Sequence, residues 1–152
     1  MTSTLPPTEK KAGYVRDMFA RIAPRYDLLN HVLSLGIDIL WRKAAARTLE
    51  LGTAQSVLDV CCGTGDLAME FAGHVPAQAT ITGVDFCAPM LERAAAKSRP
   101  GRRIGWVQGD GLSLPFPDAR FDRAAVAFGV RNLADLDAGL RELARVLKPG
   151  GR

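Results

Sequence analysis

Four short apolar runs decide what this chain can become: SVLDV (56–60), TITGV (80–84), RIGWV (103–107) and RAAVAF (123–128). Each is strand-like, and stretches of helical rhythm separate them. GDLAMEFAGH lies between the first two, and APMLERAAAKS between the second and third, with Pro89 at a first-turn position that suits it. After the fourth comes LDAGLRELARVL, in which Leu136, Leu140, Leu143 and Leu147 share a face and Asp135 can cap the helix. Strands alternating with helices of this length build βαβ units and a parallel sheet. Right-handed crossovers then make the sheet doubly wound, with a site expected at the carboxyl ends of its strands. The fold class is therefore α/β.

Upstream, residues 14–51 are helical in pattern. Val15, Met18, Phe19 and Ile22 form one apolar face. Pro24 interrupts, Leu28, Leu29, Val32 and Leu33 resume, and Gly36 breaks the pattern before Ile37, Leu40 and Trp41. Residues 1–13 are rich in Pro, Thr and Lys and are expected to be disordered. Residues 52–152 form the α/β core. KPGG near the end is a helix stop that announces a fifth strand, so the core is expected to be incomplete, truncated at its C-terminal side, with strand four at an exposed edge.

Composition narrows the function. At 152 residues, 47% hydrophobic and 24% charged, the chain reads as a soluble globular domain. No apolar run approaches the ~20 residues of a membrane span, and the N-terminus lacks a signal peptide, which makes the cytoplasm the expected location. Three cysteines, two of them adjacent, make neither a disulfide framework nor a spaced metal site, so no metal is expected. The net charge of +4 is mild, and RPGRR (99–103) lacks the interleaved aromatics of a nucleic-acid surface.

The glycine loop raises two ligands. Gly63-Thr64-Gly65-Asp66-Leu67-Ala68 follows a strand and precedes a helix, and Asp85 ends the next strand, which satisfies the dinucleotide fingerprint. Gly63 and Gly65 let backbone approach a ligand. An NAD-binding oxidoreductase is therefore one reading. Charge favours the other, S-adenosylmethionine (SAM): Asp66 and Asp59 beside the turn would repel a pyrophosphate but tolerate a sulfonium and an ammonium. Asp85 suits the ribose of either, and Asp110, just past strand three, could accept from an adenine amino group.

VLDVCCGTGDLA, GVDFCAPML, QGDGLSLPFPDARFD, AFGVRNLAD and RVLKPGGR together resemble the class I SAM-dependent methyltransferases. They are most similar to the ubiquinone/menaquinone biosynthesis C-methyltransferases, the UbiE/MenG family. YDLLNHVLSLGIDILW (26–41) resembles that family's own signature, with Leu29 in place of Met and Asp38 in place of His. The resemblance implies a Rossmann-like fold, and the apolar helices over residues 14–51 then make physical sense as a lid that excludes water and offers an apolar wall to a polyprenyl tail. It implies methyl transfer from SAM to a ring carbon of a prenylated quinol, with the cysteine pair leaning to demethylmenaquinol. A lipophilic quinol is then the expected partner, with peripheral contact at the inner face of a membrane and homo-oligomerisation as further expectations. Methylation of another small molecule, or a SAM-binding chain with little turnover, are the alternatives.

Site residues follow. Cofactor contacts carry over onto Thr64, Asp85, Asp110 and Gly111, while Ala127 stands where some members use serine. A ring carbon becomes nucleophilic when the neighbouring hydroxyl loses its proton, so a donor to the oxygen is needed. Arg131 and Asn132, after strand four, are such donors, and Arg cannot readily serve as a free base. Tyr26 opens the signature and could reach substrate or cofactor. Cys61 and Cys62 are read as small buried hydrophobes, and His31 as a solvent-facing helix residue.

Overall fold

Prolines and left-handed residues set the boundaries of the N-terminal helices. The computed structural model describes residues 8–101 and 103–152. Helices α1 (Thr8–Ile22) and α2 (Tyr26–Leu33) are parted by a tight turn at Ala23–Arg25, where Pro24 cannot donate the bond that helix continuity requires. Leu35 and Gly36, at φ of 52° and 78°, then turn the chain into α3 (Ile37–Thr48). Of the stretch expected to be disordered, residues 1–7 lie outside the described residues. From Thr8 onward the chain is already helical, ahead of Tyr14, because Glu-Lys-Lys-Ala are strong helix formers that extend α1 upstream.

Past Ser56 the strands and helices alternate: β1 (Ser56–Val60), α4 (Asp66–Phe71), β2 (Thr80–Asp85), α5 (Ala88–Lys97), β3 (Ile104–Gln108), β4 (Arg123–Val126) and α6 (Leu136–Val146). All pairings are parallel, in the order β3-β2-β1-β4, with Val60 opposite both Val84 and Val126. β4 ends two residues short of Phe128, because its partner β1 turns away at Cys61 and leaves nothing to pair with. The link from β3 to β4 holds no helix; it is an irregular segment that buries Leu114 and Phe121.

β1 is buried at every position, as a central parallel strand covered on both faces must be. One face packs Val57 and Ile81 against Leu67, Phe71 and Ala46; the other packs Leu58, Val60 and Val84 against Phe121 and Val146. Asp122 staples the start of β1, accepting from the N–H groups of Gln55 (2.9 Å) and Ser56 (2.8 Å), while Lys148 donates to its other oxygen at 2.7 Å. The last residues run along the edge of β4: Ala124 N–H donates to the Arg152 carbonyl at 2.7 Å, and Arg152 N–H to that of Asp122 at 3.2 Å. That edge is thus partly paired rather than bare. No described helix is long and apolar enough to cross a membrane.

Candidate active site

Where β1 and β2 end, the loop 61–65 must turn sharply, and it does so through three left-handed residues, Cys61 (φ 55°), Gly63 (φ 54°) and Gly65 (φ 82°). The turn opens a cavity of about 400 Å³ at the carboxyl ends of the strands, below the N-terminal helices. Asp59, Gly63, Thr64 and Asp85 line it from the first two strands and their loops. Asp110 and Gly111 line it from beyond β3, Arg131 and Asn132 from the tight turn Phe128–Asn132 after β4, and Tyr26 from α2.

Gly65 is the exception: it does not face the cavity. A Cβ there would lie 2.3 Å from the indole of Trp106 and 3.0 Å from the Cβ of Ala94, so its hydrogen makes room for β3's tryptophan. That indole is fixed by its N–H, which donates to Ser98 Oγ at 3.0 Å. At Gly63 a Cβ would find nothing nearer than a Tyr26 ring carbon at 3.9 Å, so this glycine is the one that bares backbone to the cavity.

The acids divide sharply by partnership. Asp85 Oδ2 accepts from the Gly63 N–H (2.8 Å) and Oδ1 from the Cys87 N–H (2.9 Å), tying β2's end to the glycine loop and to the start of α5. Burial pushes its carboxyl up, against the pull of these N–H groups. Asp110 Oδ1 accepts from the Leu112 N–H at 2.9 Å and so shapes its own turn. Asp59 is different: it is 1% exposed, and its Oδ2 has no partner. Burial pushes its carboxyl to about 8, helped by the charge of Asp85 and opposed by the Ala68 N–H.

Asp66 corrects the electrostatic reasoning from sequence. Its carboxylate is not left to repel an anion: Lys97 Nζ sits 2.6 Å from Oδ1 and Arg42 Nη1 3.6 Å from Oδ2. Lys97 also holds Asp27 at 2.6 Å, and the Thr64 hydroxyl donates to the other oxygen of Asp27. Sequence reading missed this network, since only the position of Asp27 within the 26–41 signature pointed to it. Asp38, where the signature has His, is 2% exposed and bonded to Ser34 Oγ (2.8 Å), Arg42 Nη2 (2.7 Å) and His31 Nδ1 (2.7 Å). His31 is therefore engaged rather than simply solvent-facing.

Arg131 makes no ion pair among the described residues and is exposed at the cavity wall. Trp41 of α3 meets Phe128 at a ring distance of 5.8 Å, bringing the helical segment to the turn that carries Arg131. Cys61 and Cys62 are half-buried. Burial and the nearby acids push both thiols up, Cys61 to about 12, which leaves them inert as nucleophiles. Among the described residues no three acids, histidines or cysteines are grouped to hold a metal ion.

Comparison with known proteins gives concordant matches. The profile of the ubiE/COQ5 methyltransferase family matches residues 7–152. The demethylmenaquinone methyltransferase of Deinococcus radiodurans is 50% identical over 145 residues, covering 95% of this chain and 60% of the relative. The ubiquinone/menaquinone biosynthesis C-methyltransferase UbiE of a Geobacter species is 45% identical over 146 residues, covering 94% and 62%. Among solved structures, an S-adenosylmethionine dependent methyltransferase from Mesorhizobium loti superposes with a TM-score of 0.62 at 26% identity, over 71% of this chain and 49% of that one. The sheet order and these neighbours give a Rossmann-like class I methyltransferase fold. The chain spans about 60% of the length of the curated relatives it matches.

Proposed function

The chain belongs to the ubiE/COQ5 methyltransferase family, and from that premise we propose that it binds SAM and serves C-methylation of a prenylated quinol, with demethylmenaquinol as substrate. The observation that carries the cofactor reading is Asp59: a buried carboxylate oxygen with no partner, on the wall of the cavity beside the glycine loop. At neutral pH that acid holds its proton, and a cation brought to Oδ2 would lower its pKa and let it ionise against the positive charge. SAM supplies a methyl group on a cationic sulfur and carries an ammonium, whereas a dinucleotide would bring its pyrophosphate to this wall.

The residues present fit that ligand. Asp59 would take a positive group, and Gly63 would let backbone approach it. Asp85, held rigid by two N–H bonds, would accept from ribose hydroxyls. Asp110 and Gly111 would meet the adenine side, and Thr64 would brace the loop. On the opposite wall the unpaired Arg131 guanidinium would stabilise charge on the quinol oxygen as its proton leaves, with Asn132 as a second donor. Tyr26, at the head of α2, would close the cavity over the reacting atoms. Residues 14–51 act as the lid and residues 52–152 as the cofactor core in this reading.

The exposed apolar surface of α2 and α3 supports a lipophilic substrate and contact with the inner face of a membrane. Leu33 and Leu35 are 81% and 88% exposed, and Leu33 also lines the cavity. The relative named for demethylmenaquinone favours a naphthoquinol over a benzoquinol.

The test is label transfer from SAM carrying a labelled methyl group to reduced demethylmenaquinone, run beside the full-length Deinococcus radiodurans relative. Label on the quinol ring is the expected result. Transfer only to a benzoquinol would move the substrate assignment, and none by this chain where the relative transfers would remove the catalytic reading.

A further inference from the structure

Among the described α-helices, α2 alone buries no residue. Apolar packing holds only its head, where Tyr26 meets Phe19 edge-on at 5.8 Å and lies against the buried Ala23, Cys87 and Met90, so polar ties carry more of the load than in the other helices. Its N-terminal turn carries Asp27, half-buried, whose two oxygens go to Thr64 of the glycine loop and to Lys97 at the end of α5. The same ammonium reaches Asp66, the first residue of α4, at an equal 2.6 Å. One cation thus joins the helix above the cavity to the first residue of α4, directly after the glycine loop, while Asp27's other oxygen ties that helix to the loop itself.

We infer that Lys97 is a positioning residue of the cofactor site: shared between Asp27 and Asp66, it fastens α2 onto the glycine loop and so holds Tyr26 and Thr64 in place. The inference rests on the SAM reading only for its effect on ligand affinity. Both contacts are partly buried, with about 30% of the lysine side chain exposed, so solvent screens them incompletely. Without the lysine, two carboxylates would face each other across the gap, and Arg42, which reaches Asp66 at 3.6 Å but is engaged with Asp38, would neutralise only one of them. The Lys97 and Thr64 bonds hold Asp27's carboxyl below its ordinary range against the opposing effect of burial, which agrees with a carboxylate that stays charged and engaged. A second tie from the same helix, Arg93 donating to the Pro24 carbonyl at 3.0 Å, holds the turn before α2 but not the loop.

The experiment uses Lys97→Met, which keeps the methylene stem and removes the charge. In the ligand-free chain, amide hydrogen exchange over α2 is expected to accelerate by about tenfold while β1 and β2 stay protected. Titration calorimetry is expected to find SAM affinity weakened by about tenfold. Lys97→Arg should restore both, because a guanidinium can still bridge two carboxylates. Asp27→Asn, a milder change that leaves Lys97 on Asp66, should loosen α2 in the same way. Unchanged exchange in α2, or equal acceleration across the sheet, would overturn the inference. Faster exchange in α2 with no SAM binding by the unmutated chain would uphold the fastening and sink the cofactor reading instead.

Discussion

Asp59 illustrates how one side chain can cost stability and serve binding. Its carboxyl is buried with Oδ2 unpartnered, so Asp59→Asn should make the ligand-free chain more stable at pH 8.5, by on the order of 1–3 kcal/mol. The same change should weaken SAM binding, and urea unfolding beside calorimetry reads both; a parallel loss of stability and affinity would speak against the assignment. The two loop glycines separate in the same way. Gly65→Ala meets both a left-handed φ of 82° and the Trp106 indole, and should cost about 2–4 kcal/mol of folding stability. Gly63→Ala has open space before it and should cost about 1 kcal/mol while weakening the ligand more. Pattern reading found both glycines but gave them one role, because the motif does not reveal that Trp106, distant in sequence, fills the space beneath Gly65.

At the scale of elements, the strands were legible because each is a short apolar run bounded by polar or glycine-rich links, and Asp135 caps α6 as expected, accepting the Ala138 N–H at 2.9 Å. The end of β4 was not legible, since the run RAAVAF continues past the point where its partner turns away. The ion pairs under α2 were equally hidden, because Asp27, Asp66 and Lys97 stand far apart in sequence and meet only through the crossover of α5. The apolar face of α2 and α3 was visible as periodicity and is now seen to be exposed. If it receives a prenyl tail, Leu33→Asp or Trp41→Asp should raise KM for long-tailed quinols several-fold more than for short-tailed ones, as steady-state kinetics over a tail-length series would read. Equal losses for both would count against that role.

For the molecule as a whole, opposite pKa shifts shape stability against pH. Asp59 keeps its proton to about 8 when folded but loses it near 3.8 when unfolded, so its effect lowers stability as pH rises between those values. Asp122 moves the other way: burial opposes it, but Lys148 and the N–H groups of Gln55 and Ser56 hold its carboxyl well below the ordinary range. Arg145 likewise holds Glu142 down, to about 2. The stability these two supply is present above their unfolded values near 4 and is lost as pH falls below. The ligand-free chain should therefore be most stable in mild acid, which thermal melts from pH 3 to 9 can check; Asp59→Asn should lessen the alkaline decline, and Asp122→Ala should lower stability throughout the neutral range by about 2–4 kcal/mol. Every role assigned to the site residues depends on a cavity that takes a cationic methyl donor. Isothermal titration of the unmutated chain with SAM and, separately, with NAD tests this most directly: one site for SAM and no heat from NAD is the predicted result. Saturable binding of NAD with none of SAM would contradict it.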